Sequence, residues 1–494
     1  MEKEAQSDYP VEHCGVVGGI DYSGTDMVRR TIVMLNEVSH RGRDSAGIST
    51  VNHGFHSYKD YGHVKDIFTD EVIESQNLVG PLATGHTRYK NQGGDTLAFT
   101  QTFVAEYEGW KMAFGHNGNI PELSRQRARL NALGLCAFPD YDSNILAQLI
   151  VSAEGDNWIE KVQNGLVGVE GSYSIIMATG DGHLVVARDP WGIRPLSVAR
   201  IEDGVVAASE TKAFNAIKAK HHQEVQPGEI LDFSTDGEYR SKLLEEADKR
   251  SCIFENIYFM HETSEIEGET ASRFRQRLGE SLAKNHRGEG KVVTAVPDSS
   301  SVAANSYATE TAKPIERLIL KKPDSIERSF MKGEMGSRID TLEAKFDLSP
   351  DAKGQSIDAV DDSIIIGNTT KFLAQNLRED VGAAEVHVLS TAPKVIRDCP
   401  WGINMRSSDG DFAAVNKETG ETLSDDEIAR NKGLDSVRYN TLEELQMVAE
   451  EGGHNPEDYC YHCFGGQGLS EPKMRNVVSI KQYEWKSAPD LVSA

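Results

Sequence analysis

The stretch "SIDAVDDSIIIGNTTKFLAQNL" (residues 356–377) runs from an apolar segment into two acidic residues, a small polar loop and an amphipathic segment. This order predicts a β-strand, a connecting loop and an α-helix. In parallel α/β folds, ligands bind at the carboxyl ends of strands, which is where this loop begins. The loop contains no Lys or Arg, so we expect a phosphate site built from backbone N–H groups, hydroxyl groups and the positive end of the helix.

Other segments after residue 250 repeat this alternation of strand and helix. Two more short apolar runs predict strands: "KVVTAVPD" (291–298) and "EVHVLST" (385–391). Two further amphipathic segments predict helices: "ASRFRQRLGESLAKN" (271–285) and "TLEELQMVAEEGG" (441–453). Short, largely apolar strands that alternate with helices indicate a parallel α/β domain.

The part of the chain from Cys14 to about residue 235 has a different pattern. Short apolar runs alternate with glycine turns, and "DGH" (181–183) joins two such runs as the turn of a hairpin. Amphipathic helices are predicted at 25–40 and 141–155. Sheets with intercalated helices predict a layered α+β domain.

Composition restricts the class of protein. The chain has 494 residues, which is enough for two or three domains, and its formal net charge is −25. Such a charge argues against sequence-independent nucleic-acid binding and against adhesion to an anionic membrane. No apolar run reaches the roughly 18–20 residues that span a bilayer, and the acidic N-terminus is no signal peptide. Six cysteines in a chain of this length favour a reducing cytoplasm.

A single cysteine in "HCGVVGG" (13–19) precedes four blocks that are dense in polar residues and glycine. The blocks are "SHRGRDSAGI" (39–48), "ATGHTRYKNQGG" (83–94), "FGHNGNI" (114–120) and "YDSNIL" (141–146). In this order they resemble the glutaminase domain of amidotransferases of the N-terminal-nucleophile hydrolase type. Hydrolysis of an amide needs a nucleophile, a base and donors for the tetrahedral oxyanion.

The resemblance implies a role for each matched residue. Cys14 would be the nucleophile, and its own α-amine would relay the proton once residues 1–13 are removed as a leader. If they are not removed, the segment is a terminal tail and this mechanism fails. The other matched roles are an oxyanion hole made by the Asn117 side chain and the Gly118 N–H, and a glutamine site made by Arg41, Arg88 and Asp142.

The second half resembles the phosphoribosyl-pyrophosphate (PRPP) loop of type I phosphoribosyltransferases. A glutaminase followed by this domain is similar to the amidophosphoribosyltransferase family over essentially the whole chain from Cys14. The resemblance implies that Asp361 and Asp362 bind the ribose and Mg²⁺, and that Ser299 is a further metal-side ligand. The residues that would hold the PRPP 5′-phosphate are Ser363, Gly367, Asn368 and Thr369.

Four cysteines match further positions of this family: Cys252, Cys399, Cys460 and Cys463. In many members these positions bind a [4Fe–4S] cluster. Four thiolates suit that cluster and also suit Zn²⁺. We favour the cluster, and zinc is the alternative.

Several residues depart from the family pattern. Ile366 and Glu343 each stand where the family usually has Arg. Asp358 stands where an apolar residue is usual, and Asn144 stands where Glu is frequent. The segment "KPDS" (322–325) replaces a Lys-Asn-Arg-Tyr stretch. Each lost contact to PRPP would cost roughly 1.5–3 kcal/mol of binding free energy. These losses would weaken the binding of the pyrophosphate group of PRPP. Four cations are candidate replacements: Lys321, Lys322, Arg328 and Lys332.

We therefore expect an αββα sandwich of the N-terminal-nucleophile type (14–245) and an α/β phosphoribosyltransferase domain with a parallel sheet (246–494). The expected reaction is glutamine-dependent transfer of ammonia to PRPP, the first step of purine synthesis. One alternative is a diverged paralogue with an active glutaminase and an altered or lost PRPP site; another is a non-catalytic regulatory paralogue. The resemblance further implies inhibition by purine nucleotides and a dimer or tetramer.

Overall fold

The computed structural model describes residues 14–89, 97–243, 248–322, 346–403, 405, 411–469 and 481–482. The chain divides into two units. The first runs to Ser251 and includes the strand Lys481–Gln482, and the second is Cys252–Gly468. The predicted leader, residues 1–13, lies outside the described residues, and the predicted domain limits stay predictions.

Two antiparallel sheets form the core of the first unit. In spatial order, the described strands of one sheet are Lys220–Glu224, Ser197–Ile201, Gly204–Ala208, Gly15–Asp21, Leu82–Arg88, Ser45–Val51 and Phe55–Tyr61. Those of the other are Lys481–Gln482, Tyr239–Leu243, Glu229–Ser234, His183–Arg188, Ser172–Thr179, Trp110–Asn119 and Phe103–Tyr107. The hairpin predicted at 181–183 is confirmed, because Ser172–Thr179 and His183–Arg188 pair as neighbours.

The sheets pack face to face between two layers of helices. Side chains alternate along each strand, so Val16 lies in the core between the sheets while Val17 lies in the core under the first helix. Ile176 and Ile175 divide in the same way on the second sheet. The helices are Val28–Glu37, Val64–Ile67, Asp70–Ser75, Ser124–Ala132, Asp142–Ser152, Trp158–Gly165 and Lys212–Ala216. This arrangement is the predicted αββα sandwich.

The glycines of "CGVVGG" (14–19) allow the central strand to be approached closely from both sides. A Cβ on Gly18 would lie 2.6 Å from Ile176 Cγ2, and one on Gly19 would lie 2.3 Å from Met27 Cε. Both contacts are too short for a real side chain. The glycine pattern therefore has a packing reason that is independent of chemistry.

A parallel four-stranded sheet forms the centre of the second unit. Its described strands, in spatial order, are Val292–Ala295, Ser356–Asp361, Glu385–Ser390 and Ser436–Tyr439. Five α-helices among the described residues pack around this sheet: Ala271–Asn285, Ser301–Thr311, Asn368–Asn376, Asp425–Lys432 and Leu442–Glu451. Apolar clusters lie on both faces of the sheet, as a fully buried parallel sheet requires. The predicted parallel α/β fold is confirmed.

The described residues also form three pairs of short strands: Ser251–Cys252 with Tyr459–Cys460, Glu265–Ile266 with Glu269–Thr270, and Ile319–Lys321 with Phe346–Leu348. No helix among the described residues is long and apolar enough to cross a membrane.

Asp358, which departs from the family pattern, lies in the middle of the strand Ser356–Asp361 and is fully buried. Its carboxylate is 2.5 Å from Lys313 Nζ and accepts hydrogen bonds from the Gly290 N–H (2.8 Å) and the Tyr307 hydroxyl (3.2 Å). The anion is thus compensated inside the unit. Its role is to hold the 288–290 turn and residue 313 against the sheet.

Replacement of Lys313 by Met should destabilise the second unit by about 3–5 kcal/mol, because a buried carboxylate would lose its cation. Lys322→Met is the matched control. Lys322 Nζ lies 3.2 Å from Asp347 in an exposed pair, so this change should cost less than about 1 kcal/mol. Urea unfolding of the full chain measures both effects. Equal costs for the two variants would contradict a structural role of the Asp358 pair.

Candidate active sites

Cys14 is anchored by a buried ion pair at the start of the strand Gly15–Asp21. Arg41 donates from Nε to the carbonyl oxygen of Cys14 (3.2 Å) and from Nη1 to Glu210 Oε1 (2.6 Å). Both side chains of this pair are fully buried. His40 Nε2 lies 2.8 Å from the same Glu210 oxygen. Arg41 therefore fixes the backbone of Cys14, in addition to any contact with a substrate.

Asn117 and Gly118 lie next to each other in the strand Trp110–Asn119. Asn117 is buried, and its Nδ2 has no hydrogen-bond partner among the residues that the structure describes. A buried amide donor without an acceptor is costly, so its presence suits a group that receives an acceptor during the reaction. Gly118 has φ +154°, and a Cβ there would lie 2.0 Å from the Ser172 oxygen, which excludes other residues.

Arg88 lies beside Cys14, because Gly15 pairs with Thr87, and Tyr141, which precedes Asp142, contacts the same Phe99 ring as Arg88. Burial raises the pKa of Tyr141 well above its ordinary value, the charges of Asp142 and Cys14 raise it further, and Arg88 opposes them. Arg88 is buried at the end of the strand Leu82–Arg88 and lies over the Phe99 ring. A thiol beside one cation and one anion would suit a free amino acid, whose two charged groups could pair with them.

A buried network connects the two halves of this site. The Gln101 amide accepts from the His116 N–H (2.7 Å) and donates to the His116 carbonyl (3.0 Å) and to Ser143 Oγ (3.1 Å). His116 Nδ1 lies 2.8 Å from Ser143 Oγ, and the Ser143 hydroxyl donates to Asp142 Oδ1 (3.2 Å). The network ties the backbone before Asn117 to the carboxylate at the start of the helix Asp142–Ser152.

Sequence reasoning missed Gln101, His116, Ser143, Tyr141 and Glu210 as parts of this site. His116, Ser143 and Tyr141 belong to the quoted blocks at 114–120 and 141–146, where they were available as signals. Gln101 lies outside those blocks. Its partners are at least 15 residues away along the chain, so no local pattern could reveal them.

Two histidines in this region are neutral at physiological pH. Burial lowers the pKa of His86 to about 3, and the nearby His116 and Arg88 contribute to the decrease. Burial also lowers the pKa of His116, which outweighs the opposing charge of Asp142. These imidazoles are structural groups of the site, since protonation would place a charge in the core.

The acidic residues of the second site lie at the carboxyl end of a central strand, as predicted. Asp361 ends the strand Ser356–Asp361 and Asp362 follows it; both are buried. Ser299 donates to Asp362 Oδ2, and Ser363 donates to Asp362 Oδ1 at 2.9 Å. Ser299 follows the neighbouring strand Val292–Ala295, so parallel pairing brings these residues together. The arrangement offers oxygen ligands to a hard cation or a ribose.

The predicted phosphate loop leads into the helix Asn368–Asn376. Gly367 has φ +78° and begins the helix, where the first N–H groups have no partner within the helix. The side-chain nitrogen of Asn368, Nδ2, is buried and lacks a hydrogen-bond partner within the described part of the chain. These donors fit the phosphate site that the sequence predicts.

The structure describes some of the positions that depart from the family pattern and some of the candidate replacement cations. Ile366 is buried, and the amine of Lys432 donates to its carbonyl oxygen at 2.6 Å. Lys321 pairs with Asp298 (2.5 Å) and Lys322 with Asp347 (3.2 Å). Four further sets of residues lie outside the described part of the chain: 323–325 of "KPDS", Arg328, Lys332 and Glu343.

Four cysteines approach one another in the second unit. Burial raises the pKa of Cys463 well above its ordinary value, and the charges of Cys399, Cys460 and Cys252 raise it further. None of the four forms a disulfide in the described structure. No three His, Cys, Asp or Glu side chains among the described residues are arranged to hold one metal ion.

The first site and its sandwich define a class of protein. A family model described as a glutamine amidotransferase domain matches residues 90–216, which lie in the first unit. The chain is also similar to a solved glutamine PRPP amidotransferase from B. subtilis complexed with ADP and GMP. Their TM-score is 0.82 at 28% sequence identity, over 93% of this chain and 98% of that one. The chain is a glutamine amidotransferase with an α/β second unit.

Relatives that match over most of both chains identify the family within this class. The chain is 34% identical to an amidophosphoribosyltransferase of Archaeoglobus fulgidus, over 91% of this chain and 96% of the relative. It is 32% identical to the chloroplastic amidophosphoribosyltransferase of Glycine max, over 96% and 82% of the two chains. The chain belongs to the amidophosphoribosyltransferase family. The predicted enzyme of purine synthesis is confirmed, and these relatives support it over the diverged paralogue.

The low pKa of His86 makes the first unit sensitive to acid. The unfolded chain binds a proton at this histidine below about pH 6.5, whereas the folded chain does not until about pH 3. Stability should therefore fall by about 1.4 kcal/mol per pH unit below pH 6.5. His86→Gln should flatten this decline in urea unfolding of the full chain at a series of pH values.

His183→Gln is the control with the opposite sign. The hydrogen bond that His183 donates to the Asp232 carboxylate raises the pKa of His183, so the protonated form stabilises the fold at low pH. Its loss should steepen the acid decline. If both variants shift the pH dependence in the same direction, the assignment of His86 as a buried neutral group is wrong.

Proposed function

We propose that Cys14 releases ammonia from glutamine and that the second unit transfers this ammonia to C1 of PRPP. The products are glutamate, 5-phosphoribosylamine and pyrophosphate. The observation that carries this proposal is that Cys14 adjoins Arg88 across paired strands, while Arg88 and the Tyr141 that precedes Asp142 contact the same Phe99 ring. Arg88 would pair with the α-carboxylate of glutamine and Asp142 with its α-ammonium, which selects a free amino acid.

In the first half-reaction, the Cys14 thiol transfers its proton to the α-amine of the same residue, and the sulfur attacks the amide carbon. The oxyanion accepts hydrogen bonds from Asn117 Nδ2 and the Gly118 N–H. The α-ammonium returns the proton to the leaving nitrogen, and ammonia departs. Water then hydrolyses the thioester to glutamate. Arg41 would close over the substrate while its bond to the Cys14 carbonyl orients the nucleophile.

This mechanism requires Cys14 to be the first residue of the mature chain. The α-amine is then free to act as a base, with an ordinary pKa near 8. With residues 1–13 attached, the same nitrogen is an amide and cannot accept the proton. Removal of this leader is therefore part of the proposal.

The second unit would bind PRPP at the carboxyl ends of its parallel strands. Asp361 and Asp362 would hold the ribose hydroxyls, and with Ser299 they would hold Mg²⁺. The buried carboxylates and the Ser299 hydroxyl form an oxygen donor set of the kind that Mg²⁺ prefers. Bound Mg²⁺ would neutralise part of the charge of the pyrophosphate. The 5′-phosphate would be held by Ser363, Gly367, Asn368 and Thr369.

The four cysteines would hold a [4Fe–4S] cluster. Their thiols are close enough to affect one another's ionisation, and a cluster takes one thiolate on each of its four irons. A single zinc ion needs all four sulfurs at about 2.3 Å. Zinc is the alternative, because four thiolates suit either group. The role of the cluster would be structural, since it joins Cys252 to the segment at 399–463.

Nucleotides and other copies of the chain are the proposed partners. The solved relative from B. subtilis is complexed with ADP and GMP, which supports regulation by purine nucleotides. A homodimer or tetramer and a cytoplasmic location complete the proposal.

The function is tested by measuring glutamate and pyrophosphate together, with and without PRPP, in purified iron-replete protein. We expect both products in equal amounts when PRPP is present. Cys14→Ala should lose all use of glutamine, because the nucleophile is gone, but should still form pyrophosphate from added ammonium chloride and PRPP. Intact mass should show an N-terminus at Cys14.

Two results would contradict this proposal. Glutamate without pyrophosphate under every condition would mean that PRPP is not the acceptor. An active protein that retains Met1 at its N-terminus would exclude the α-amine of Cys14 as the base.

The cluster is tested by metal and sulfide analysis of anaerobically purified protein. We expect about four irons and four acid-labile sulfides per chain. Cys463→Ser should lose most of the iron and lower the melting temperature of the second unit. Cys136→Ser is the control, since Cys136 is exposed in the first unit. One zinc per chain without iron would refute the cluster.

A further inference from the structure

Lys432 contacts the proposed phosphate loop from a distant part of the sequence. It is the last residue of the helix Asp425–Lys432, and Gly433, with φ +72°, ends that helix. The Gly433 carbonyl accepts a hydrogen bond from Arg378 at 2.7 Å, which fixes the end of the helix against the segment after Asn368–Asn376. The backbone of Lys432 is therefore held in a defined position.

The Lys432 side chain lies along the peptide that joins Ile366 to Gly367. Its Nζ donates to the Ile366 carbonyl oxygen at 2.6 Å. A Cβ built on Gly367 would lie 2.8 Å from Lys432 Cε and 3.1 Å from Nζ. The absence of a side chain at Gly367 thus allows the ammonium group to reach the loop.

This contact sets the direction of a hydrogen-bond donor. In a planar trans peptide the C=O and N–H bonds point in opposite directions. Because the Ile366 oxygen points to Lys432, the Gly367 N–H points away from it. The neighbouring N–H groups of the first turn of the helix have no acceptor within the helix. If the peptide rotated, a carbonyl oxygen would replace the Gly367 N–H and repel an anion.

The positive charge of Lys432 also favours an anion at the loop. Ile366 contributes no charge to the loop, and the two adjacent acids at 361–362 are anionic when ionised. The ammonium of Lys432 is a cation in hydrogen-bond contact with the loop backbone. A cation this close lowers the cost of bringing a phosphate to the loop.

We infer that Lys432 is a positioning residue for the 5′-phosphate of PRPP, acting through the Ile366–Gly367 peptide and its positive charge. The inference rests on the proposed function of this site. It assigns to a residue 66 positions downstream the positive charge that the loop sequence lacks.

Three substitutions separate the two contributions. Lys432→Met removes the charge and the donor, Lys432→Gln removes the charge and keeps a donor on a shorter side chain, and Lys432→Arg keeps both. We expect Lys432→Met to raise the KM for PRPP roughly 10- to 100-fold with a smaller change in kcat. Lys432→Gln should fall between it and wild type, and Lys432→Arg should stay within about threefold of wild type. Inorganic phosphate should compete with PRPP more weakly in Lys432→Met.

Lys371→Met is the matched control. Lys371 lies in the first turn of the helix Asn368–Asn376 and is exposed, so this change removes the same charge without touching the Ile366 carbonyl. Its KM for PRPP should stay within about threefold of wild type. The KM for glutamine without PRPP reports the first unit and should be unchanged in all variants.

The outcomes distinguish this inference from the function on which it rests. If wild-type protein forms no pyrophosphate from PRPP, the proposed function fails and the inference fails with it. If wild type is active and Lys432→Met keeps its KM for PRPP and its competition by phosphate, the inference alone is overturned. A lower melting temperature in Lys432→Met with an unchanged KM would show a purely structural lysine and would also overturn it.

Discussion

The buried ion pair between Arg41 and Glu210 is the interaction on which the first site depends. Both side chains are fully excluded from solvent, so neither charge is tolerable without the other. The remaining donor capacity of Arg41 fixes the carbonyl of Cys14, and the strand Gly15–Asp21 then continues into the centre of its sheet. The position of Cys14, the proposed nucleophile, is thus decided by a charge pair between residues 169 positions apart.

The same principle extends through the rest of the sandwich. Buried polar groups are retained where each has a partner, as in the contacts of Gln101 with His116 and Ser143. The Asn117 amide nitrogen differs, since it is buried and has no hydrogen-bond partner among the described residues. A buried donor without a partner suits a place where a developing negative charge is stabilised, which is the role proposed for Asn117.

In the second unit the constraint is the parallel sheet. Parallel strands bring their carboxyl ends to one edge, so Ser299 and Asp362 meet although 63 residues separate them. Helices on both faces bury the strands, and the buried Asp358 is tolerated because Lys313 compensates it. This edge is where parallel α/β folds bind their ligands, which supports the phosphate site proposed there.

Much of this could be read from the sequence. Apolar periodicity gave the long helices, for example Ala271–Asn285, and the order of strand, acids, loop and helix at 356–377 gave the second site. The helix Ser301–Thr311 and the strand Ser436–Tyr439 were not predicted. The first is rich in small residues and the second is short, so neither has a strong periodic signal.

The sequence by itself determined the two kinds of unit, their order and the residue types available to each site, because these depend on local periodicity and local motifs. Only the tertiary structure decided which distant side chains complete the sites. Lys432 at the Ile366 carbonyl, Glu210 on Arg41 and Lys313 on Asp358 are contacts across 45 to 169 residues. Pairing of buried charges is set by the packing of whole elements, so no pattern within one segment contains it.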